Sequence, residues 1–120
     1  MNGLSFVADT NFLINVHEGN PITKPFLDTT PIISVISEIE LLGWRNLSLG
    51  DKKKLAALLN DCIIMQLTPE IKNLAIEFKQ QNVIKTPDAI IAATAKFLEL
   101  PLVTSDKGFK KITDMQIILI

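Results

Sequence analysis

The chain has 120 residues, 48% of them hydrophobic, and this length predicts a single domain over residues 1–120 with a sizeable buried core. Twelve basic and thirteen acidic residues leave a net charge of −1, so the strongly basic balance of a general nucleic-acid binder is absent. No apolar run approaches the roughly 20 residues of a membrane span, which predicts no membrane association. The single cysteine, Cys62, excludes an internal disulfide, and without a secretory leader pattern it favours the cytoplasm.

Apolar runs alternate with helix signals along the chain. Strands are predicted at 4–8, 32–36, 62–67, 102–104 and 116–120. Helices are predicted from 12 to 17 after a polar turn at 9–11, from 37 to about 47, from 51 to about 60 and from 68 to about 82. A last helix is predicted from Thr86, with Pro101 separating it from the strand that follows. Residues 25–31 form a connection with room for a helical turn. This alternation predicts an α/β fold with a parallel sheet and right-handed crossovers.

Acidic side chains stand where an open α/β sheet builds its sites, beyond the carboxyl ends of its strands. Asp9 follows the first strand directly and Asp106 follows the fourth, so a parallel sheet would bring them to the same edge. Asp88 opens the helix that leads into the fourth strand. Chain order would place it near the opposite end of the sheet, unless the preceding loop climbs to this edge. Each acid also has an ordinary structural interpretation, as a helix cap, a dipole partner or a turn residue.

A fourth acid, Glu40, is distinguished from Glu38 by helical phase. At about 100° per residue, Glu40 falls on the side of Ile36 and Trp44, whereas Glu38 falls on the polar side. A carboxylate among apolar neighbours is unfavourable unless a cation compensates it, so Glu40 is the better candidate for a metal ligand. The structural alternative for Glu40 is a capping box with Ser37.

Four segments together resemble the motif blocks of the PIN domain family, and most closely its VapC-type toxin ribonuclease branch. The segments are VADTNFLI at 7–14, SVISEIELLG at 34–43, PDAIIAATA at 87–95 and LVTSDKGF at 102–109. They follow the family's order through nearly the whole chain. The resemblance implies a three-layer sandwich with a five-stranded parallel sheet flanked by helices. It also implies that the helix N-terminus carrying Asp88 faces the site.

The resemblance further implies a function. The family's catalytic and metal-binding acids correspond to Asp9, Glu40, Asp88 and Asp106. The expected substrate-binding residues are Asn11, Thr104, Ser105 and Lys107, with Lys110 and Lys111 as further candidates to hold a substrate backbone. Carboxylate oxygens suit Mg²⁺ or Mn²⁺, which supports metal-dependent hydrolysis of RNA phosphodiester bonds. The implied partners are RNA, an antitoxin protein and a second copy of the chain.

Two other functions share parts of the pattern. A response-regulator receiver has similar length and binds Mg²⁺, but it needs a phosphoacceptor aspartate ending the third strand and a lysine after the fifth. Here the third strand ends in Gln66, Leu67 and Thr68, and the chain ends at Ile120, which argues against a receiver. The remaining alternative is a PIN fold kept as a non-catalytic interaction module, against which the presence of all four acids argues.

Overall fold

The computed structural model describes residues 5–120 and contains, within that range, a five-stranded parallel sheet with helices on both faces. The strands are β1 (Val7–Ala8), β2 (Ile32–Ser34), β3 (Ile63–Met65), β4 (Leu102–Thr104) and β5 (Ile117–Leu119). The helices are α1 (Thr10–His17), α2 (Val35–Leu42), α3 (Leu49–Asn60), α4 (Pro69–Gln81) and α5 (Thr86–Leu98), with 3-10 helices at Pro21–Phe26 and Lys107–Lys111. The predicted α/β architecture is confirmed; Leu4, predicted to begin the first strand, lies outside the described residues.

Side chains of the short strands alternate between two cores, one on each face of the sheet. Val7 belongs to the core formed with α4 and α5, whereas Phe6 and Ala8 belong to the core formed with α1, α2 and α3. In the second core Phe6, Phe12 and Phe26 contact one another edge to face, with ring centroids 5.5 to 5.9 Å apart. Because both faces are covered, polar side chains of the sheet concentrate at the strand ends.

The strand order β3-β2-β1-β4-β5 makes the carboxyl end of β1 a topological switch point. The chain leaves β1 to form β2 on one side and later returns to form β4 on the other. Val7 and Ala8 pair with Leu102 and Val103, so the residues that follow β1 and β4 emerge side by side. A crevice therefore opens at the point where Asp9 follows β1.

The helix α2 differs from the prediction at both ends. Ser34 caps it, since its Oγ accepts the backbone N–H two residues on at 3.1 Å, and the helix begins at Val35 instead of two residues later. It ends at Leu42, about five residues short of the prediction, with Gly43 as its C-cap. A Cβ at Gly43 would lie 2.6 Å from the carbonyl oxygen of Ile39, an approach that only glycine permits.

The boundaries around α3 also differ from the prediction. Ser48 caps this helix, because its Oγ accepts the N–H of Asp51 at 3.1 Å and donates to Asp51 Oδ2 at 2.9 Å. The helix therefore begins at Leu49, and Asp51 is its third residue. Cys62, predicted to be a buried strand residue, is half-buried just before β3, where its thiol donates to the Leu58 carbonyl at 3.3 Å.

The direction of α5 corrects the expectation for Asp88 from chain order. The helix ends at Leu98, just before β4 begins, and its thirteen residues span about 20 Å, so its N-terminus lies towards the carboxyl edge. The position of Asp88 agrees with the implication of the family resemblance and not with chain order alone, because a crossover helix runs antiparallel to the strands that it connects. None of the helices formed by residues 5–120 has the length and apolarity needed to cross a membrane.

Candidate functional site

Asp9 is the buried member of a group of acids at the carboxyl edge of the sheet, with 2% of its surface exposed. Its Oδ1 caps α1 by accepting the N–H of Phe12 at 2.8 Å, and its Oδ2 accepts the hydroxyl of Thr104 at 2.5 Å. Burial raises the pKa of Asp9 from 3.8 to about 6; the hydrogen bonds from Thr104 and Phe12 lower it, and the charges of Asp106 and Asp88 raise it further. Ionisation of Asp9 at neutral pH therefore lowers the stability of the folded state.

Thr104 holds two of the acids in place. It is fully buried at the end of β4; its hydroxyl donates to Asp9 and accepts the backbone N–H of Asp106 at 2.9 Å. Asp106 in turn caps the second 3-10 helix, with Oδ1 accepting the N–H of Gly108 at 2.8 Å. The sequence predicted substrate contact for Thr104, but its burial and its two protein partners give it a positioning role instead.

The substitution Thr104→Val should lower the free energy of unfolding by about 1–3 kcal/mol, since it removes a hydrogen bond from a buried carboxylate while preserving shape. The pKa of Asp9 should rise further, because the Thr104 hydroxyl lowers it. Denaturant unfolding at pH 7 measures the loss. Thr94→Val is the matched control, since Thr94 is also buried but donates to the Ile90 carbonyl within its own helix. Equal losses in the two variants would contradict this role of Thr104.

Asp88 lies between the other acids. With Asp9 and Glu40 it lines a cavity of about 370 Å³, and with Asp106 it lines a neighbouring cavity of about 420 Å³. Burial, followed by the charges of Asp106 and Glu40, raises the pKa of Asp88, and the positive charge of Lys85 lowers it. The four acids Asp9, Glu40, Asp88 and Asp106 therefore line two adjoining cavities that share Asp88, and together these acids are called the acidic crevice below.

Hydroxyl groups connect Glu40 to α1. Thr10 Oγ1 donates to Glu40 Oε1 at 2.6 Å and lies 2.9 Å from Ser37 Oγ. Ser37 is fully buried inside α2, and the helix cap is Ser34, so a capping box of Ser37 with Glu40 does not form. The sequence interpretation missed Thr10; its position directly after Asp9 was the signal available.

Glu40 is exposed at the mouth of its cavity, not buried among apolar side chains as the helical phase predicted. Phase places Trp44 beside Glu40 only if α2 continues that far, and α2 ends at Leu42. Trp44 itself is 45% exposed. The structure nevertheless separates the two glutamates, since Glu40 lines the cavity of Asp9 whereas Glu38 lines a different cavity against α3.

The family model of the PIN domain matches residues 6–115 of this chain. The chain belongs to the PIN domain family. Among curated proteins no match was found.

Solved VapBC-type structures share the fold of this PIN domain. A toxin–antitoxin complex from Klebsiella pneumoniae contains a chain with 28% identity and a TM-score of 0.75, the match covering 87% of this chain and 89% of that one. VapBC-1 from nontypeable Haemophilus influenzae gives 23% identity, a TM-score of 0.78 and coverage of 97% and 98%. DNA-bound VapBC from Salmonella typhimurium gives 21% identity, a TM-score of 0.78 and coverage of 95% and 96%. These similarities confirm the predicted five-stranded fold.

The residues predicted to contact substrate lie at different places in the PIN domain. Asn11 is exposed and lines the same cavity as Asp9. Ser105 is half-buried, and its hydroxyl accepts the side-chain N–H of Asn15 at 3.4 Å. Lys107 is exposed at the start of the second 3-10 helix. Of these residues, Asn11 opens directly onto the acidic crevice.

Across residues 5–120 of the PIN domain, no three His, Cys, Asp or Glu side chains are grouped so that they could hold one metal ion. Local partners direct the acids instead: Thr10 engages Glu40, and the N–H of Gly108 engages Asp106. Binding one ion would thus require these carboxylates to rotate inwards. The donor set itself fits a hard divalent cation, because carboxylate oxygens are its preferred ligands. Burial and, after it, neighbouring negative charges raise the pKa values of Asp9 and Asp88.

Proposed function

We propose that this PIN domain is a divalent-metal-dependent endoribonuclease that acts as the toxin of a toxin–antitoxin pair. The observation that carries the proposal is the acidic crevice, in which Asp9 and Asp88 line one cavity with Glu40 and Asp88 lines the next with Asp106. Burial first, and then the neighbouring negative charges, raise the pKa values of Asp9 and Asp88 there. Concentrating carboxylates in a partly buried place is unfavourable unless a cation is bound among them. The likeness to the K. pneumoniae toxin–antitoxin chain supports the same interpretation.

The four acids of the crevice would hold Mg²⁺ or Mn²⁺. When bound, the ion would supply the Lewis acidity that lowers the pKa of an attacking water and offsets charge at the phosphate. Thr104 fixes the carboxylate of Asp9 through a hydrogen bond of 2.5 Å, so the protein orients this ligand before substrate arrives. Glu40, which accepts from Thr10 at 2.6 Å, would turn towards the ion when it binds. The exposed amide of Asn11 would donate to a phosphate oxygen in the same cavity.

Single-stranded or looped RNA is the proposed substrate. The two cavities of about 370 and 420 Å³ both contain Asp88, so a strand that crosses from one to the other passes over the acids. The net charge of −1 provides no general attraction for nucleic acid, so binding would depend on the ion and on nearby lysines.

An antitoxin is the proposed protein partner. Apolar side chains on and after α2 are exposed, including Ile39 at 61%, Trp44 at 45% and Leu49 at 71%, and Trp44 lines the cavity of Glu40. Such a surface beside a charged site favours a protein partner that covers both. A basic residue of that partner would neutralise the acids, and an arginine suits this because its planar fork engages carboxylates bidentately. We also propose that the protein forms a homodimer and acts in the cytoplasm.

The same apolar surface also fits the alternative, a non-catalytic interaction module, and one experiment separates the two. Purified protein is incubated with mixed-sequence single-stranded RNA and Mg²⁺, Mn²⁺ or EDTA. The enzyme should cut internally with metal and not with EDTA. Expression of the wild-type chain alone should slow growth, whereas Asp9→Asn should not. Harmless expression of both chains, with no cleavage under either metal, would favour the interaction module instead.

A further inference from the structure

The second cavity contains cations and apolar side chains that the proposed chemistry does not use. Besides Asp88 and Asp106, its lining includes Val83, Ile84, Lys85 and Lys111. These last four residues are called the lysine cleft below. The lysine cleft adjoins the acidic crevice, because its four residues line the same cavity as Asp88 and Asp106.

Lys111 is fixed in this cleft by the protein. Its Nζ donates to the carbonyl of Val83 at 2.9 Å, and Lys79 Nζ donates to the next carbonyl, of Ile84, at 3.1 Å. Two lysines thus hold the loop between α4 and α5. An ammonium group has three N–H donors, so Lys111 retains two for a ligand. Because its side chain is already ordered, binding a ligand costs it little further conformational entropy.

Lys85 brings a second positive charge to the same cleft. It is exposed at the N-cap position of α5, where no side chain caps the helix. Its charge lies near enough to Asp88 to lower the pKa of that acid, against the larger effects of burial and of neighbouring acids. An anion in the cleft would meet Lys85 and Lys111 together.

The remaining wall of the cleft is apolar and exposed. Val83 is 88% exposed and Ile84 is half-buried beside it. A nucleotide presents this combination of chemistries, with a flat apolar base and an anionic phosphate. A strand held at the acidic crevice continues past it, and the lysine cleft is the adjoining cavity in which its next phosphate would meet cations.

We propose that the lysine cleft binds the nucleotide next to the scissile phosphate of an RNA substrate, with Lys85 and Lys111 on its phosphate and Val83 against its base. This assignment rests on the proposed ribonuclease function and names the part of the substrate that its site engages. Lys85 and Lys111 are substrate-binding residues, and Lys79 positions the loop.

The test compares Lys85→Met with Lys53→Met, which removes the same charge from an exposed position on α3. With Mn²⁺ and a single-stranded RNA, Lys85→Met should lower kcat/KM roughly tenfold, as expected for one lost charge-assisted hydrogen bond. The salt dependence of its RNA affinity, measured in EDTA, should become shallower by about 0.7 in the log–log slope. Lys53→Met should behave like the wild type in both measurements.

A change in the RNA substrate locates the contact along the strand. A neutral methylphosphonate is placed at one phosphate beside the mapped cut, on each side in turn. On one side of the cut, the methylphosphonate should slow cleavage by the wild type as much as the Lys85→Met substitution slows cleavage of unmodified RNA. It should not slow Lys85→Met any further, since the two changes remove the same contact. Additive effects on both sides would overturn the assignment.

The outcomes separate this inference from the function on which it rests. If the wild type cuts RNA and the two lysine variants behave alike, the lysine cleft is refuted and the ribonuclease stands. If the wild type cuts nothing with either metal, the ribonuclease fails. RNA binding in EDTA then tests the lysine cleft. Weaker binding by Lys85→Met than by the wild type and Lys53→Met supports the cleft, and equal RNA affinity in all three proteins refutes it. Polyglutamate that competes as strongly as RNA would indicate a site for acidic peptides and would also refute it.

Discussion

Asp9→Asn and Glu40→Gln are each expected to lower metal-dependent RNA cleavage by on the order of 10³-fold, because a bound metal contributes several kcal/mol to transition-state stabilisation. Both substitutions preserve side-chain shape and remove the charge that holds the cation. Glu40→Gln also keeps an oxygen that can accept from Thr10, the present partner of Glu40 at 2.6 Å. Binding of RNA should therefore survive better than cleavage.

Glu38→Gln is the matched control for this loss. Glu38 lies on the same helix, two residues from Glu40, but lines a different cavity. Single-turnover cleavage with saturating Mn²⁺ should leave Glu38→Gln close to the wild type. Equal activity in Glu40→Gln and Glu38→Gln would remove Glu40 from the site, and full activity in Asp9→Asn would remove the acidic crevice from catalysis.

Asp9→Asn should also stabilise the metal-free protein at neutral pH. Folding raises the pKa of Asp9 from 3.8 to about 6, so the folded state binds its proton more tightly than the unfolded state does. Below pH 3.8 the carboxyl is protonated in both states and no cost arises. As the pH rises to about 6 the folded protein loses about 3 kcal/mol, at 1.36 kcal/mol per pKa unit, and this loss persists at higher pH.

Asparagine cannot ionise, and it caps a helix as well as aspartate does, so its oxygen can still accept the N–H of Phe12. Its amide nitrogen cannot accept the Thr104 hydroxyl as Oδ2 does, and this loss lowers stability by the same amount at every pH. Denaturant unfolding in EDTA between pH 4 and pH 8 measures both proteins. The stability difference in favour of Asp9→Asn should grow between about pH 4 and pH 6 and then level off. A difference that does not change with pH would show that burial does not raise the pKa of Asp9.

The parts of the site that follow from local sequence were predictable. Asp9 and Asp106 come directly after apolar strands, and a parallel sheet places such residues at one edge. Local periodicity also selected Glu40 over Glu38 as the site residue, although the reason given, burial of Glu40 among apolar side chains, was wrong. Helical phase describes direction only within a helix, and Gly43 ends α2 before the apolar residues that were counted as neighbours of Glu40.

The contacts that organise the site were not predictable, because they join distant parts of the chain. Thr104 meets Asp9 across 95 residues only because the register pairs Ala8 with Val103. The start of α2 was ambiguous, since both Ser34 and Ser37 suit an N-cap, and packing of Ser37 against Thr10 resolves the choice. Sequence gives each candidate, but the register and the packing decide between them.

Binding of Mn²⁺ tests the central claim most directly, because it depends on the acidic crevice and not on the choice of RNA. Titration of the 120-residue chain with Mn²⁺, followed by the electron paramagnetic resonance signal of free Mn²⁺, gives the affinity. We expect saturable binding by the wild type and by Glu38→Gln, with an affinity at least about tenfold weaker for Asp88→Asn, since even indirect ligand contacts contribute that much. Equal affinity in Asp88→Asn and the wild type would contradict the assignment of the metal to these four acids.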